Sequence, residues 1–444
     1  MTGRKAATMN NQVKVKENAF IDEKYYYIKH RSGLDIYVFP KNLSTSYALF
    51  GTRYGSIDNK FKLRGEEEYT SVPDGIAHFL EHKMFENENG EDTFLRYAKT
   101  GASANAYTSF NMTAYLFSCT ANFYDSLEIL LDFVTAPYFT PETVQKEQGI
   151  IAQEIRMGED NPGNRMIFDL LKAMYAEHAV RTEIAGTVES ISHITADVLY
   201  KCYNAFYNLH NMSLIVCGDV NVDDTLAIAD KYLKEQPDFD VQSVYAKEKP
   251  EVAKKFTSRK MQVAKPLFSI GVKNIDIPTE PWERSKLSAA TGILNDMLFG
   301  RASDFFNSLY TEGLISKSFG YWSETCKSFS LIDISGDSKE PKKVYDRFIE
   351  YITEKKANGL DAEDFERCFR VAYTGFIKSF DSTDGIANNF LNFIFDDMDM
   401  LDYVDVLNSV TFEDVSAAFE KLYKEEYICM AVIYPIEETS DGEK

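Results

Sequence analysis

FYDSLEILLDFV, Phe123 to Val134, places Phe123, Leu127, Leu130, Leu131 and Val134 on one face of a helix, and VYDRFIEYI repeats the pattern from Val344. The Tyr-Asp pairs inside them, Tyr124-Asp125 and Tyr345-Asp346, lie 221 residues apart. Working outward, each is preceded by a strand-like run, YALFGTRY (47–54) and LFSIGV (267–272), and by a helix ending in Met84-Phe85 or in Leu298-Phe299. Each is followed by a loop and a helix, FTPETVQKEQGIIAQEI against LDAEDFERCFRVAYTGF. Last, Thr195 leads a helix into Phe206-Tyr207 and the strand SLIVCGD, while Thr411 leads one into Leu422-Tyr423 and the strand ICMAVIY. Chance similarity would not preserve the order of elements at so constant an offset, so the repeat reads as a tandem duplication. The expected fold is α+β, two homologous α/β sandwich domains, each a sheet covered by helices on one side. The boundaries fall at 20–235 and 259–437, with 236–258 as a linker that holds Pro237 and Pro250 and no sustained period.

The 444 residues, 44% hydrophobic and 26% charged, describe a globular chain with room for two or three cores. A net charge of −21 repels phosphate backbones and anionic lipid, which argues against nucleic-acid and membrane partners. No apolar run approaches the roughly 18 residues of a membrane span, and residues 1–20 contain no hydrophobic signal core. The six cysteines are scattered without a CxxC pair, as in a reducing compartment, so the expected location is cytoplasmic. Glu66 to Glu68 and the tail from Glu437 to Lys444 read as solvated charge runs.

Two of the six histidines fall in GIAHFLEHKMF, at His78 and His82. Residues i and i+4 of a helix lie about 40° apart around the axis, so both imidazoles can share one tetrahedral zinc. Glu81 lies about 60° to the other side of His78, within reach of a water on that metal without ligating it, the position of a general base. This is HxxEH, the inverse of HExxH. A catalytic zinc normally takes three protein ligands, so a carboxylate must come from elsewhere. QKEQGIIAQEIRM offers Glu147 and Glu154, two turns apart on one helical face, with Ile150, Ile151 and Ile155 as apolar anchorage. Glu154 is expected to ligate, and Glu147 to support catalysis from behind by orienting a histidine or tuning the site. His30, His178, His193 and His210 lie outside the motif and read as ordinary surface or core groups.

HFLEH, followed 72 residues later by Glu154 in the pattern E-x6-E, resembles the inverted-zincin metallopeptidases of the pitrilysin, insulinase and mitochondrial processing peptidase family. The resemblance extends through GASANAYTSFNMTAYLF and PYFTPETVQKEQGIIAQEI to GTVESISHITADVLYKCYNAFYNLHNMSLIVCGDV. It implies one zinc per chain, an endopeptidase acting on unfolded peptides in a closed chamber, and a chain that forms half of a clamshell. It also implies that the strand SANAYT is a sheet edge that pairs with the substrate backbone at Asn105 and Ala106. The competing reading is a non-catalytic peptide-binding or assembly subunit. Such members of the family generally lose the metal motif, and here it is intact.

In the repeat register, Gly292, Asn295 and Asp296 stand for His78, Glu81 and His82, while Cys368 and Gly375 stand for Glu147 and Glu154, so the second half cannot bind metal in this way. The family's second domain often carries an Arg and a Tyr in SRL…RExxGLxY. In GRASDFFNSLYTEGLISKSFGY, Leu309 replaces the second Arg and Ser316 the Tyr, leaving Arg301, Phe319 and Tyr321 as substitutes. In bacterial relatives that divide the work, a motif-less subunit supplies that pair. The expected partner is therefore such a homologous subunit, as a heterodimer, or a second copy as a homodimer.

Overall fold

The computed structural model describes residues 13–237 and 240–436. Two sheets carry the fold. The first orders its strands Val13–Asn18, Glu23–Lys29, Asp35–Pro40, Met212–Gly218, Ser46–Thr52, Thr113–Cys119 and Ser103–Thr108. The second runs Phe256–Met261, Ile428–Pro435, Leu267–Asn274, Ser330–Asp337 and Gly320–Thr325. From Asp35–Pro40 onward the two orders correspond strand for strand, each opening on its one parallel pair, Asp35–Pro40 with Met212–Gly218 and Phe256–Met261 with Ile428–Pro435. The duplication read from the sequence is thus a duplication of topology, and the mixed α+β class holds. The strands Val13–Asn18 and Glu23–Lys29 extend the first sheet beyond the repeat.

The expectation of one-sided coverage does not hold. One face of the first sheet packs on helices of its own half, among them Phe123–Val134 and Ala196–Phe206. Its other face is covered by Thr383–Phe395 of the second half, through Phe390 and Leu391 against Leu49 and Ile215. In return, Pro162–Met174 of the first half covers the second sheet. The cause is visible in the strands: every residue of Ser46–Thr52 and Met212–Gly218 is buried, so both faces of the central strands need a lid.

The exchanged helices approach the sheets at matching glycines. A Cβ on Gly51 would lie 2.7 Å from Leu391 Cδ2, and one on Gly271 would lie 2.8 Å from Met174 Sδ and 2.9 Å from Leu170 Cδ1. Gly271→Ala is expected to cost about 1 kcal/mol, the lower end for overpacking, because the obstructing atoms are ends of side chains. Urea denaturation reads this directly, and an unchanged midpoint would mean the helix is loosely seated.

Of the 236–258 stretch, residues 238–239 are outside the described residues, as are 1–12 and the acidic tail 437–444. Within it, Val241–Ser243 pairs with Lys60–Leu63, and Glu248 accepts from the backbone of His178 (2.6 Å) and from Lys273 Nζ (2.7 Å) in a buried ion pair. All six cysteines are buried free thiols. No helix among the described residues is long and apolar enough to cross a membrane.

Candidate metal centre

HFLEH lies on the helix Ile76–Lys83, which buries Ile76, Ala77, Phe79 and Leu80 in the core of the first half. Gly75 caps it at φ 89°, where a Cβ would lie 2.3 Å from the Ala185 carbonyl oxygen, so this entry needs glycine twice over. The second element is the 20-residue helix Pro141–Asp160, started by Pro141 at its first turn and a capping box on Thr140. Val144, Ile151, Ala152 and Ile155 anchor it. Ile150 does not. It is 46% exposed, because it sits about 100° around the helix from Ile151, off the buried stripe.

These helices bring His78, His82 and Glu154 together, with one donor atom from each lying within 4.8 Å of the other two. His78 Nε2 is 3.5 Å from Glu154 Oε1 and His82 Nε2 is 3.5 Å from Glu154 Oε2. Bonds of about 2.0–2.1 Å to a tetrahedral zinc put its donors about 3.3 Å apart, so a zinc ion fits this set with small side-chain adjustment. Two imidazoles and a carboxylate are also a donor set that zinc favours. Glu147 stands behind His82, its Oε1 3.0 Å from Nδ1, which leaves Nε2 turned towards Glu154. His78 Nδ1 is buried without a hydrogen-bond partner among the described residues, so that ring is oriented by packing and by what its Nε2 binds.

Glu81 is buried beside this set and accepts a 2.6 Å hydrogen bond from Thr108 Oγ1. Burial raises its carboxyl above the ordinary range, against the opposing pull of that bond and of both imidazoles. Burial lowers the basicity of His82, but the Glu147 bond and the charges of Glu154 and Glu81 outweigh it and the net shift is upward. The His78 bond holds Glu154 below its usual value against burial.

His78, Glu81, His82, Glu154, Asn105 and Ala106 all line one cavity of about 720 Å³, and Glu147 stays outside it behind His82. Among the described residues, Ser103–Thr108 is the last strand of its sheet, paired on one side only, with Thr113–Cys119. The Ala106 N–H donates to the side-chain Oδ1 of Asn105 (2.9 Å) and so is not spent in the ladder. Sequence reasoning missed Thr108, although period-2 alternation puts it on the same face as Ala104 and Ala106, which pack on the core of the first half. It also missed the far wall, Met157, Phe168 and Ile184, where no pattern in the sequence marks a side chain as facing a cavity.

The second half closes the corresponding place with its own side chains. Asn295 is buried and accepts from Tyr423 Oη (2.8 Å), and Asp296 accepts from Tyr321 Oη (3.0 Å). Leu309 and Phe319 are core residues, Ser316 Oγ donates to Asp337 (2.5 Å), and Arg301 donates to the Lys317 carbonyl (2.7 Å) while lying over the Phe306 ring. Arg301, Phe319 and Tyr321 are all engaged within the chain.

A duplicated α+β chain with one HxxEH helix and a distal glutamate defines a class, and comparison with known proteins gives the family. Residues 66–188 match the family described as Insulinase (Peptidase family M16), and residues 193–370 match the Peptidase M16 inactive domain. The chain is 40% identical over 429 residues to the protein named "Uncharacterized zinc protease YmfH" of Bacillus subtilis (strain 168), covering 95% of this chain and 99% of that one. It is 28% identical over 173 residues, 38% of each chain, to "Probable mitochondrial-processing peptidase subunit beta" of Schizosaccharomyces pombe (strain 972 / ATCC 24843). The crystal structure of a putative M16-like peptidase from Alicyclobacillus acidocaldarius superposes with a TM-score of 0.88 at 32% identity, covering 96% of this chain and 99% of that one. A protease from Helicobacter pylori shares the fold, with a TM-score of 0.79 at 18% identity over 93% of this chain and all of the other. The chain belongs to peptidase family M16.

Proposed function

We propose that this chain is a zinc-dependent endopeptidase cleaving unfolded peptides in the cytoplasm, with His78, His82 and Glu154 as ligands and Glu81 as general base. The observation that carries the reading is the convergence of those three donors beside a buried glutamate and a free strand edge, in one cavity. A zinc ion held there supplies Lewis-acid polarisation of the scissile carbonyl and acidifies a water. Glu81, buried beside these donors, would accept a proton from the attacking water and return it to the leaving amine. Glu147 fixes the tautomer and orientation of His82. Asn105 and Ala106, on the open edge, receive the substrate backbone as an added strand, which tolerates varied side chains because main-chain bonds carry no sequence information. Residues 20–235 act as the metal-bearing domain, joined through 236–258 to 259–437, the homologous domain without a metal site, whose role is structural or substrate-binding. Peptide hydrolysis by the purified, zinc-loaded chain and its loss on metal removal test the reading.

Thr108 holds the base through its 2.6 Å bond. Thr108→Val is expected to lower kcat about tenfold with KM and zinc content unchanged, the net value of a hydrogen bond to a charged group, and Thr108→Ser to restore it. A change confined to KM would instead place Thr108 in substrate binding.

The chain is also proposed to pair with a homologous subunit lacking HxxEH, or with a second copy. Leu309 and Ser316 leave its own second half without the Arg and Tyr of the family pattern, and the Schizosaccharomyces pombe relative carries the name of a subunit. At matched zinc content, the mixture with a co-encoded motif-less relative is expected to turn over peptide faster than the isolated chain. Full activity in isolation would mean the missing contacts are compensated internally.

A further inference from the structure

A second cavity, of about 350 Å³, lies apart from the metal centre, lined in part by Asn59, Lys60, Asp74, Glu177, His178 and Arg181. Two of these residues carry donors that nothing among the described residues satisfies. The Arg181 side chain makes no hydrogen bond and no ion pair among the described residues, and its Nε is fully buried. His178 is 1% exposed, and its Nε2 also lacks a partner among the described residues. The Nδ1 of that ring accepts from the Val180 N–H at 3.1 Å as the cap of the turn Ala179–Arg181, so in the neutral ring the proton sits on Nε2 and that atom is a donor. Burial keeps the ring neutral, lowering its pKa to about 4, and it stacks against Tyr245 at 27°.

Unsatisfied buried donors are expensive, and an unpaired guanidinium is the more so. The lining is not simply cationic, however. Asp74 spends only Oδ1, on Asn59 Nδ2 (2.8 Å), and the Glu177 carboxylate has no partner among the described residues. Free carboxylates repel a multiply charged oxyanion such as phosphate, while Arg181 and His178 call for one carboxylate. A volume near the lower end of the range for ligand sites, about 300–1,000 Å³, limits the occupant to something small.

We infer that this cavity is a binding site for a small zwitterion, a free amino acid or a very short peptide, whose carboxylate is held by Arg181 and His178 and whose ammonium is held by Asp74 and Glu177. The site shares no lining residue with the metal cavity. Asp74 directly precedes Gly75, the cap of the HxxEH helix, and Tyr245 belongs to the segment that joins the two halves. The inference does not depend on the metal centre being catalytic.

The test is calorimetric titration of the full chain, dialysed against EDTA, with glycylglycine, acetate, methylamine and inorganic phosphate at constant ionic strength. Glycylglycine is expected to bind in about the millimolar range, with acetate and methylamine each about tenfold weaker or more. Arg181→Gln should weaken glycylglycine by about tenfold or more, and Glu177→Gln, a change at an exposed position that does not threaten folding, should bring its affinity down towards that of acetate. Binding that requires zinc would assign the ligand to the metal centre and overturn the site. Equal affinity for acetate or phosphate would overturn the zwitterion. Absence of binding by every probe, or unchanged affinity in both variants, would mean that the cavity holds solvent only.

Discussion

Glu81→Gln is expected to abolish peptide hydrolysis, with a loss of about 10²–10⁴ in kcat, while zinc content and thermal stability stay close to those of the parent chain. The separation follows from geometry. Glu81 shares the Ile76–Lys83 helix with both histidines but is not one of the three groups whose donors converge, so the amide removes the proposed base and leaves those three donors in place. The fold tolerates the change because the glutamine oxygen can still accept from Thr108 Oγ1, the bond that Glu81 makes now, and the side-chain volume in this buried position is unchanged. Metal analysis of the dialysed variant, run beside the activity assay, decides the matter. Zinc loss accompanying the loss of activity would mean that Glu81 belongs to the ligand set.

What could be read in the sequence divides along a physical line. HxxEH is legible because its three residues lie within one turn and a half of a single helix, so their spacing alone fixes their relative directions. Glu154 is legible for a weaker reason: a two-histidine site lacks a ligand, and a glutamate pair at i and i+7 holds one face. The duplication was readable because each repeat keeps its elements in order, and the strand orders of the two sheets agree with it. Local patterns could not reveal where a helix packs when it leaves its own repeat. Pro162–Met174 and Thr383–Phe395 are each amphipathic in the ordinary way, and nothing in their periodicity says that the face they cover belongs to the other half. Gly51 and Gly271, which make room for them, read in the sequence only as small residues inside strands. The misplaced Ile150 has the same origin, since three isoleucines within six residues cannot all share a stripe about 100° wide. Thr108 and the cavity wall depend on how the edge strand and the two helices meet, which is a tertiary fact.

The second large effect concerns metal affinity, and it separates the two glutamates of one helix. Glu154→Gln is expected to leave the chain essentially metal-free after dialysis, whereas Glu147→Gln should weaken zinc by about 10–100-fold, the usual range for a group that supports a ligand from behind. Glu154 offers its oxygens at 3.5 Å from His78 Nε2 and from His82 Nε2, and the amide that replaces it is a poor ligand for zinc in a site already limited to two imidazoles. The polar partner of Glu147 among the described residues is His82, at Nδ1 and 3.0 Å, so its removal frees one ring to turn without subtracting a donor. The two positions sit seven residues apart on Pro141–Asp160 and neither belongs to the buried stripe of Val144, Ile151, Ala152 and Ile155, so neither exchange should unseat the helix. A zinc titration against a competing chelator measures both variants on one scale. Equal losses would place both carboxylates on the metal, and a larger loss at Glu147 would exchange their roles, which the 3.0 Å bond to His82 Nδ1 argues against, because a carboxylate committed to that nitrogen faces away from the point where the two Nε2 atoms and Glu154 meet.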